Sequence, residues 1–282
     1  MNTLTRPIVA LLSDFGSRDG DVGVMRGVIA GIAPAALLLD ITHEVAAQQV
    51  ASAAWILACA YRYFPAGTVF VCVVDPGVGS SRGALALQAG NWFFVGPDNG
   101  LFSYILNEQS VQGVVALTNP AYHLPHVSTT FHGRDIFAPA GAHLAGSAGQ
   151  VFMQLGPALD PATLLRLSVP DVQRRGSRIE ARILHIDTFG NLITSIPLSM
   201  LPPFASAAHI EATLPATGAR VDRRRRFFAD GGEDGEPFLY PDSSGYVGIA
   251  VCNGSAASTL CASYYMPVTF ELFDSPEQGR SG

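Results

Sequence analysis

VVDPGVGSSR, Val73 to Arg82, is the stretch on which the reading of this chain turns. It closes an apolar run, Val69 to Val74, in which four of six residues are valine and one is phenylalanine. So short and unbroken a run of β-branched and aromatic residues reads as a buried strand. The run stops at Asp75, and Pro76, Gly77 and Gly79 follow before two serines and Arg82. An acid ending a buried strand on a glycine-rich loop stands where open α/β sheets place ligand chemistry. Asp-Pro-Gly is also ordinary turn chemistry, and the stretch by itself leaves both readings open.

The same grammar repeats on either side. Pro7 to Ser13 reads as a first buried strand ending in Asp14-Phe15-Gly16. Val22, Met25, Val28, Ile29 and Ile32 then recur at helical spacing until Pro34. Leu37 to Ile41 is a second strand, and Ala46 to Phe64 an alanine-rich helix closed by Pro65 and Gly67. Ala84 to Gln88 and Trp92 to Val95 flank a turn. The polar loop Gly96 to Gly100, a short helix from Leu101 and a strand from Gly113 to Leu117 follow. Thr130 to Gly146 starts as a loop and continues as a helix interrupted by Pro139. Strands alternating with helices predict an α/β domain with a largely parallel central sheet, over residues 1–168.

Beyond that the character changes. Residues 169–176 read as a linker, with Arg174-Arg175-Gly176-Ser177 at its end. Short alternating strands then dominate: Ile179 to Ile186, Leu192 to Ile196, His209 to Leu214, Tyr246 to Val251 and Val268 to Phe273. They predict a smaller all-β, barrel-like domain over residues 177–274, before a frayed tail, 275–282.

Composition narrows the chemistry. With 48% hydrophobic and 14% charged residues in 282, the chain has a large core and is not disordered. A net charge of −6 argues against a nucleic-acid partner. All 17 basic residues are arginine, so Schiff-base chemistry and a P-loop lysine are excluded. Any fixed positive charge at a site must be an arginine or a histidine made cationic by its surroundings. Cys59, Cys72, Cys252 and Cys261 show no metal-ligand spacing, and Cys59 and Cys72 read as reduced core residues. No signal-peptide pattern is present and no run approaches the ~18 apolar residues of a spanning helix, so no membrane partner and a cytoplasmic location are expected.

Three further patches can carry chemistry. Asp14 and Asp75 should share the carboxyl edge of one sheet if their strands are parallel, although Asp14 also suits a simple turn into the next helix. His132, in FHGRD, can exchange a proton near neutral pH, and Gly133 leaves a backbone N–H open to an anion or water. The other six histidines read as structural. Asp187-Thr188-Phe189-Gly190-Asn191 is a strand-end turn for which a plain hairpin is a sufficient account. Arg223 to Arg226 reads as a solvated face.

Taken in order, LLSDFGSRDGDVGVMRGVI, VVDPGVGSSR, GPDNG, TTFHGRDIFAPAGAHLAG and IDTFGNLITSI, with SSGYVGIAV as a weaker sixth, resemble the S-adenosylmethionine (SAM) hydroxide adenosyltransferases, relatives of the SAM-dependent fluorinase and chlorinase. The resemblance implies an α/β and a β-barrel-like domain, a homotrimer, and SAM held between domains of adjacent subunits. It implies displacement at ribose C5′ by water, giving adenosine and methionine with no cofactor and no metal; SAM is the substrate. The positions matching the water-handling set are Asp75, Arg82 and His132. Asp14 matches the ribose-binding acid and Asp19 the same loop. Phe131 and Phe228 match aromatic walls; Asp187, Phe189 and Asn191 match the turn touching methionine and adenine; Ser243 matches a carboxylate contact. The fluorinase has tyrosines at the positions of Asp75 and His132, so the acid and base kept here favour water over halide; its serine at the Gly133 position does not discriminate, because the chlorinase shares the glycine. Gln48 and Cys252 depart from the family pattern, with Asn253 a possible stand-in beside Cys252. A halogenase, a SAM- or adenosine-binding protein without turnover, and a metal hydrolase using Asp14, Asp75 and His132 are the competing expectations.

Overall fold

The computed structural model describes residues 6–168, 172–204, 209–230 and 235–273, so the expected frayed tail lies outside the described residues. Two compact units divide the chain, residues 1–167 and 168–282.

The first unit is built on β1 (Ile8–Ser13), α1 (Asp21–Ile32), β2 (Leu37–Thr42), α2 (Val50–Ala60), β3 (Val69–Val73), β4 (Ala84–Ala89), β5 (Trp92–Pro97), α3 (Ser103–Glu108), β6 (Val111–Ala116) and α4 (Ala138–Gly146). The sheet order is β2-β1-β3-β5-β4-β6; the first three pairings are parallel and the last two antiparallel. β3 alternates its side chains strictly. Val69, Val71 and Val73 pack with Met25 and Ile29 of α1 and Ala140 and Leu144 of α4. Phe70, Cys72 and Val74 pack with Ala53 and Leu57 of α2 and Ile105 of α3. A strand covered on both faces needs apolar residues at every position, which is why the run is unbroken. Because β1 and β3 are adjacent and parallel, with Ser13 opposite Val73, Asp14 and Asp75 leave the same edge of the sheet.

Two helices differ from expectation for visible reasons. The helix expected from Ala46 begins at Val50, because Gln48 adopts a left-handed conformation (φ 65°) that no α-helix accommodates. Ahead of α4, residues Gly133–Phe137 form a π-helical turn that runs straight into it. Pro139 has no N–H to give the Asp135 carbonyl four residues earlier, and the Leu124 N–H fills that place at 2.9 Å.

The second unit holds β7 (Gln173–Arg175), β8 (Arg178–Ile186), β9 (Leu192–Pro197), β10 (His209–Leu214), β11 (Ala219–Val221), β12 (Pro237–Pro241), β13 (Tyr246–Val251), α5 (Ala256–Thr259) and β14 (Pro267–Phe273). The order is β11-β10-β14-β8-β9-β13-β12, all antiparallel, with β7 added to β8. Past β11 the chain bonds to the opposite edge: Arg225 N–H donates to the Leu239 carbonyl and Leu239 N–H to that of Arg223. The sheet is thereby nearly closed into a barrel around Ile183, Ile249, Phe270 and Leu239. β7 lies inside the segment expected to be linker.

Candidate active site

Asp75, Arg82 and His132 form one connected group. Arg82 Nε donates to both Asp75 oxygens at 3.0 Å, and its Nη2 donates both to Asp75 Oδ2 and, at 2.8 Å, to His132 Nδ1. The pair is buried, with the Asp75 and Arg82 side chains 5% and 9% exposed, and the guanidinium stacks on Phe137 with its carbon 5.1 Å from the ring centre. Arg82 therefore stands between the acid and the histidine, rather than Asp75 orienting His132 directly. Arginine only donates, so its contact makes Nδ1 an acceptor and places the proton of the neutral ring on Nε2. Burial, then the Arg82 charge, lower the His132 pKa below the ordinary 6.5; Asp75 and Asp135 oppose the shift.

The loop earns this geometry locally. Val78 N–H donates to the Asp75 carbonyl and Ser80 closes a second turn onto Gly77 through both its N–H and its hydroxyl. Gly79 has φ 77°, and a Cβ there would stand 2.3 Å from the Thr129 carbonyl oxygen. That close approach brings the loop against the segment leading to His132. Gly79→Ala is expected to cost about 1–3 kcal/mol of stability, from strain and clash together. Chemical denaturation measures it, and an unchanged midpoint would refute the account.

A cleft of about 530 Å³ opens at this sheet edge, lined by Asp14, Gln48, Asp75, Phe131, His132 and Gly133 among others. Arg82 is not in its lining. The Asp14 carboxylate accepts the Gln48 N–H at 2.8 Å, which ties the two cleft loops together and replaces the expected turn into α1. The strand end before Asp14 is anchored in turn: Ser13 Oγ lies 2.7 Å from His43 Nδ1, and Gly16 N–H donates to the His43 carbonyl. Phe131 packs edge-on to Phe15. Gly133 is buried, and a Cβ on it would sit 3.3 Å from Met25, Phe131 and Phe15. Asp19 is exposed; Asp21, on the first turn of α1, lines the cleft instead.

Sequence reasoning passed over Asp135. It is wholly buried, chelated by Arg134, and its Oδ2 accepts the Ser128 N–H, which pins the chain ahead of His132. Burial alone would raise its pKa, but the Arg134 and Ser128 hydrogen bonds prevail and lower it. Its place in FHGRD, three residues past His132, was the available signal. Among the described residues no three His, Cys, Asp or Glu side chains converge as a metal-binding group. On Asp75 the guanidinium already supplies the counter-cation.

The second unit carries its own pocket, about 510 Å³, lined by Phe189, Asn191, Phe228, Val251, Asn253 and Gly254. Asp187 spends its carboxylate on its own turn, accepting from the N–H groups of Phe189 and Asn191 and from Asn191 Nδ2. Gly190 (φ 81°) lets the turn lie against Ser255, where a Cβ would come within 2.1 Å of Oγ. Phe189 and Phe228 are 77% and 46% exposed. Ser243 is exposed on the turn before β13 and is not in the lining; Cys252 is half-buried beside Asn253. No helix among the described residues is long and apolar enough to cross a membrane.

Comparison with known proteins agrees with this architecture. The SAM hydroxide adenosyltransferase N-terminal domain matches residues 9–155 and its C-terminal domain residues 181–269. An (R)-S-adenosyl-L-methionine hydrolase of Salinispora arenicola is 40% identical over 258 residues, covering 90% of this chain and 94% of its own. That of Thermus thermophilus is 38% identical over 93% of this chain and 98% of its own. A fluorinase from Actinoplanes is more distant, 27% identical over 86% of this chain and 90% of its own. The crystal structure of an uncharacterized conserved protein from Thermotoga maritima superposes with a TM-score of 0.84 at 32% identity, over 93% of this chain and 99% of that one. With both domain models matched in order along most of its length, the chain belongs to the SAM hydroxide adenosyltransferase family.

Proposed function

We propose that this chain hydrolyses SAM to adenosine and L-methionine at the N-terminal cleft. Water attacks ribose C5′, the C5′–S bond breaks with its electron pair going to sulfur, and neutral methionine departs. A sulfonium leaving group needs no acid, so the protein's task is to orient a water and remove its proton. The observation that carries the assignment is the continuous Asp75–Arg82–His132 contact at the cleft.

Within it the roles divide. Of the roughly four acceptor positions on a carboxylate, Arg82 takes three on Asp75, which leaves one on Oδ1 for water. His132, protonated at Nε2, donates to the same water and fixes its direction. Arg82 holds both partners and favours hydroxide character as the proton leaves. Asp14 suits the ribose diol and Phe131 the wall beside it. The C-terminal pocket, with Phe189, Asn191, Phe228 and Asn253, suits the adenine. Assembly as a homotrimer with sites at subunit interfaces, as the family resemblance implies, would cover the exposed Phe189 and Phe228. Light scattering distinguishes three 29.7 kDa chains from one.

Pure protein incubated with SAM should release adenosine and methionine in equal amounts, with label from ¹⁸O-water on the adenosine 5′-oxygen. Absence of adenosine at micromolar enzyme would end the proposal, and a chloride-dependent 5′-chloro product would move it to halogenation. The pH profile follows from the tautomer. Protonated His132 would turn a second N–H toward Arg82 and lose that hydrogen bond. Activity should therefore be level above pH 6.5 and fall only below it, because burial and Arg82 lower this pKa. An acid limb centred above 6.5, or one that survives His132→Gln, would contradict the assignment.

A further inference from the structure

Behind the Asp75–Arg82–His132 group lies a second cavity in the same unit, of about 420 Å³. Its lining includes Arg82, His132, Asp98, Thr118, Thr163 and Leu85. The two cavities share one lining residue, His132; Asp75 lines only the front cleft and its partner Arg82 only the rear. The group thus borders both spaces. Thr118 and Thr163 are exposed, so the rear cavity reaches the surface of the molecule. Asp98 keeps Oδ2 as an acceptor, since Oδ1 is held by the Leu165 N–H at 2.9 Å. Hydroxyls, a carboxylate and a guanidinium along an otherwise aliphatic passage are what an ordered column of water requires.

We infer that the rear cavity is the water-supply route of the reaction, with His132 at its inner end. The inference rests on the proposed hydrolysis. Each turnover consumes one water, and the proton it sheds stays on Asp75 in the front cleft until the products leave. A substrate seated in the front cleft covers Asp75 and His132 on that side and closes the direct path. The oxygen that bonds to C5′ enters past His132.

Plugging the mouth tests this. Thr118→Trp and Thr163→Trp, both at exposed positions, are each expected to lower kcat about tenfold, since a gated access step then limits turnover. KM for SAM and adenosine affinity should remain at wild-type values. Leu165→Trp, at a neighbouring position 57% exposed and outside the lining, should leave kcat unchanged. Undiminished kcat in both plugged variants overturns the inference, as does an equal loss in Leu165→Trp. A wild-type protein that makes no adenosine would instead overturn the proposed function, so the two failures are distinct.

Discussion

Asp75→Asn is expected to lower kcat by about 10³–10⁴-fold while KM for SAM moves little. The substitution keeps the shape and removes the one acceptor that Arg82 leaves free at the cleft. An amide can still accept one bond from Arg82, but it cannot take a proton from water. The loss falls where charge develops in the transition state, so it appears in kcat and not in substrate binding. His132→Gln should cost less, about 10–10²-fold, because a donor to water contributes roughly what one hydrogen bond to a charged group does. Single-turnover rates with SAM affinity measured in parallel decide the order. A His132 loss larger than the Asp75 loss would make the histidine the proton acceptor and reverse the roles.

Local chemistry made part of this site readable from the chain alone. The six-residue run before Asp75 had to be a buried strand, because Val69, Val71 and Val73 serve one layer while Phe70, Cys72 and Val74 serve the other. Once that strand was parallel to β1, Asp14 and Asp75 had to emerge side by side. The placing of Arg82 between acid and histidine was not readable. It depends on Gly79 passing so close to the Thr129 carbonyl that a Cβ would not fit, a contact across fifty residues of sequence. The true start of α2 was hidden for the same reason: alanine-rich sequence favours helix, but the Gln48 backbone is claimed by Asp14, 34 residues away. β7, β11 and β12 escaped notice because three to five residues, two of them arginines in β7, are too few to show alternation. The rear cavity leaves no periodic trace at all, since its lining comes from separate turns.

Arg82→Met is expected to destabilise the protein by about 3–5 kcal/mol, because it strands the Asp75 carboxylate, 5% exposed, without its ion-pair partner. His132 loses its Nδ1 donor in the same step, so activity falls with stability. The Asp75→Asn/Arg82→Met double variant separates the two effects. An asparagine beside a methionine buries no charge, and replacing both members of a buried pair costs far less than removing one. The double variant should therefore recover much of the stability lost in Arg82→Met, with a coupling of about 1–3 kcal/mol in a denaturation cycle. Activity should not recover with it, since neither the acceptor nor the guanidinium remains. Stability that fails to return would mean that the pair holds the loop by packing, through the stacking of Arg82 on Phe137, more than by charge. Activity that returns with stability would mean that the pair's contribution to turnover is structural and that the water is activated by His132 alone.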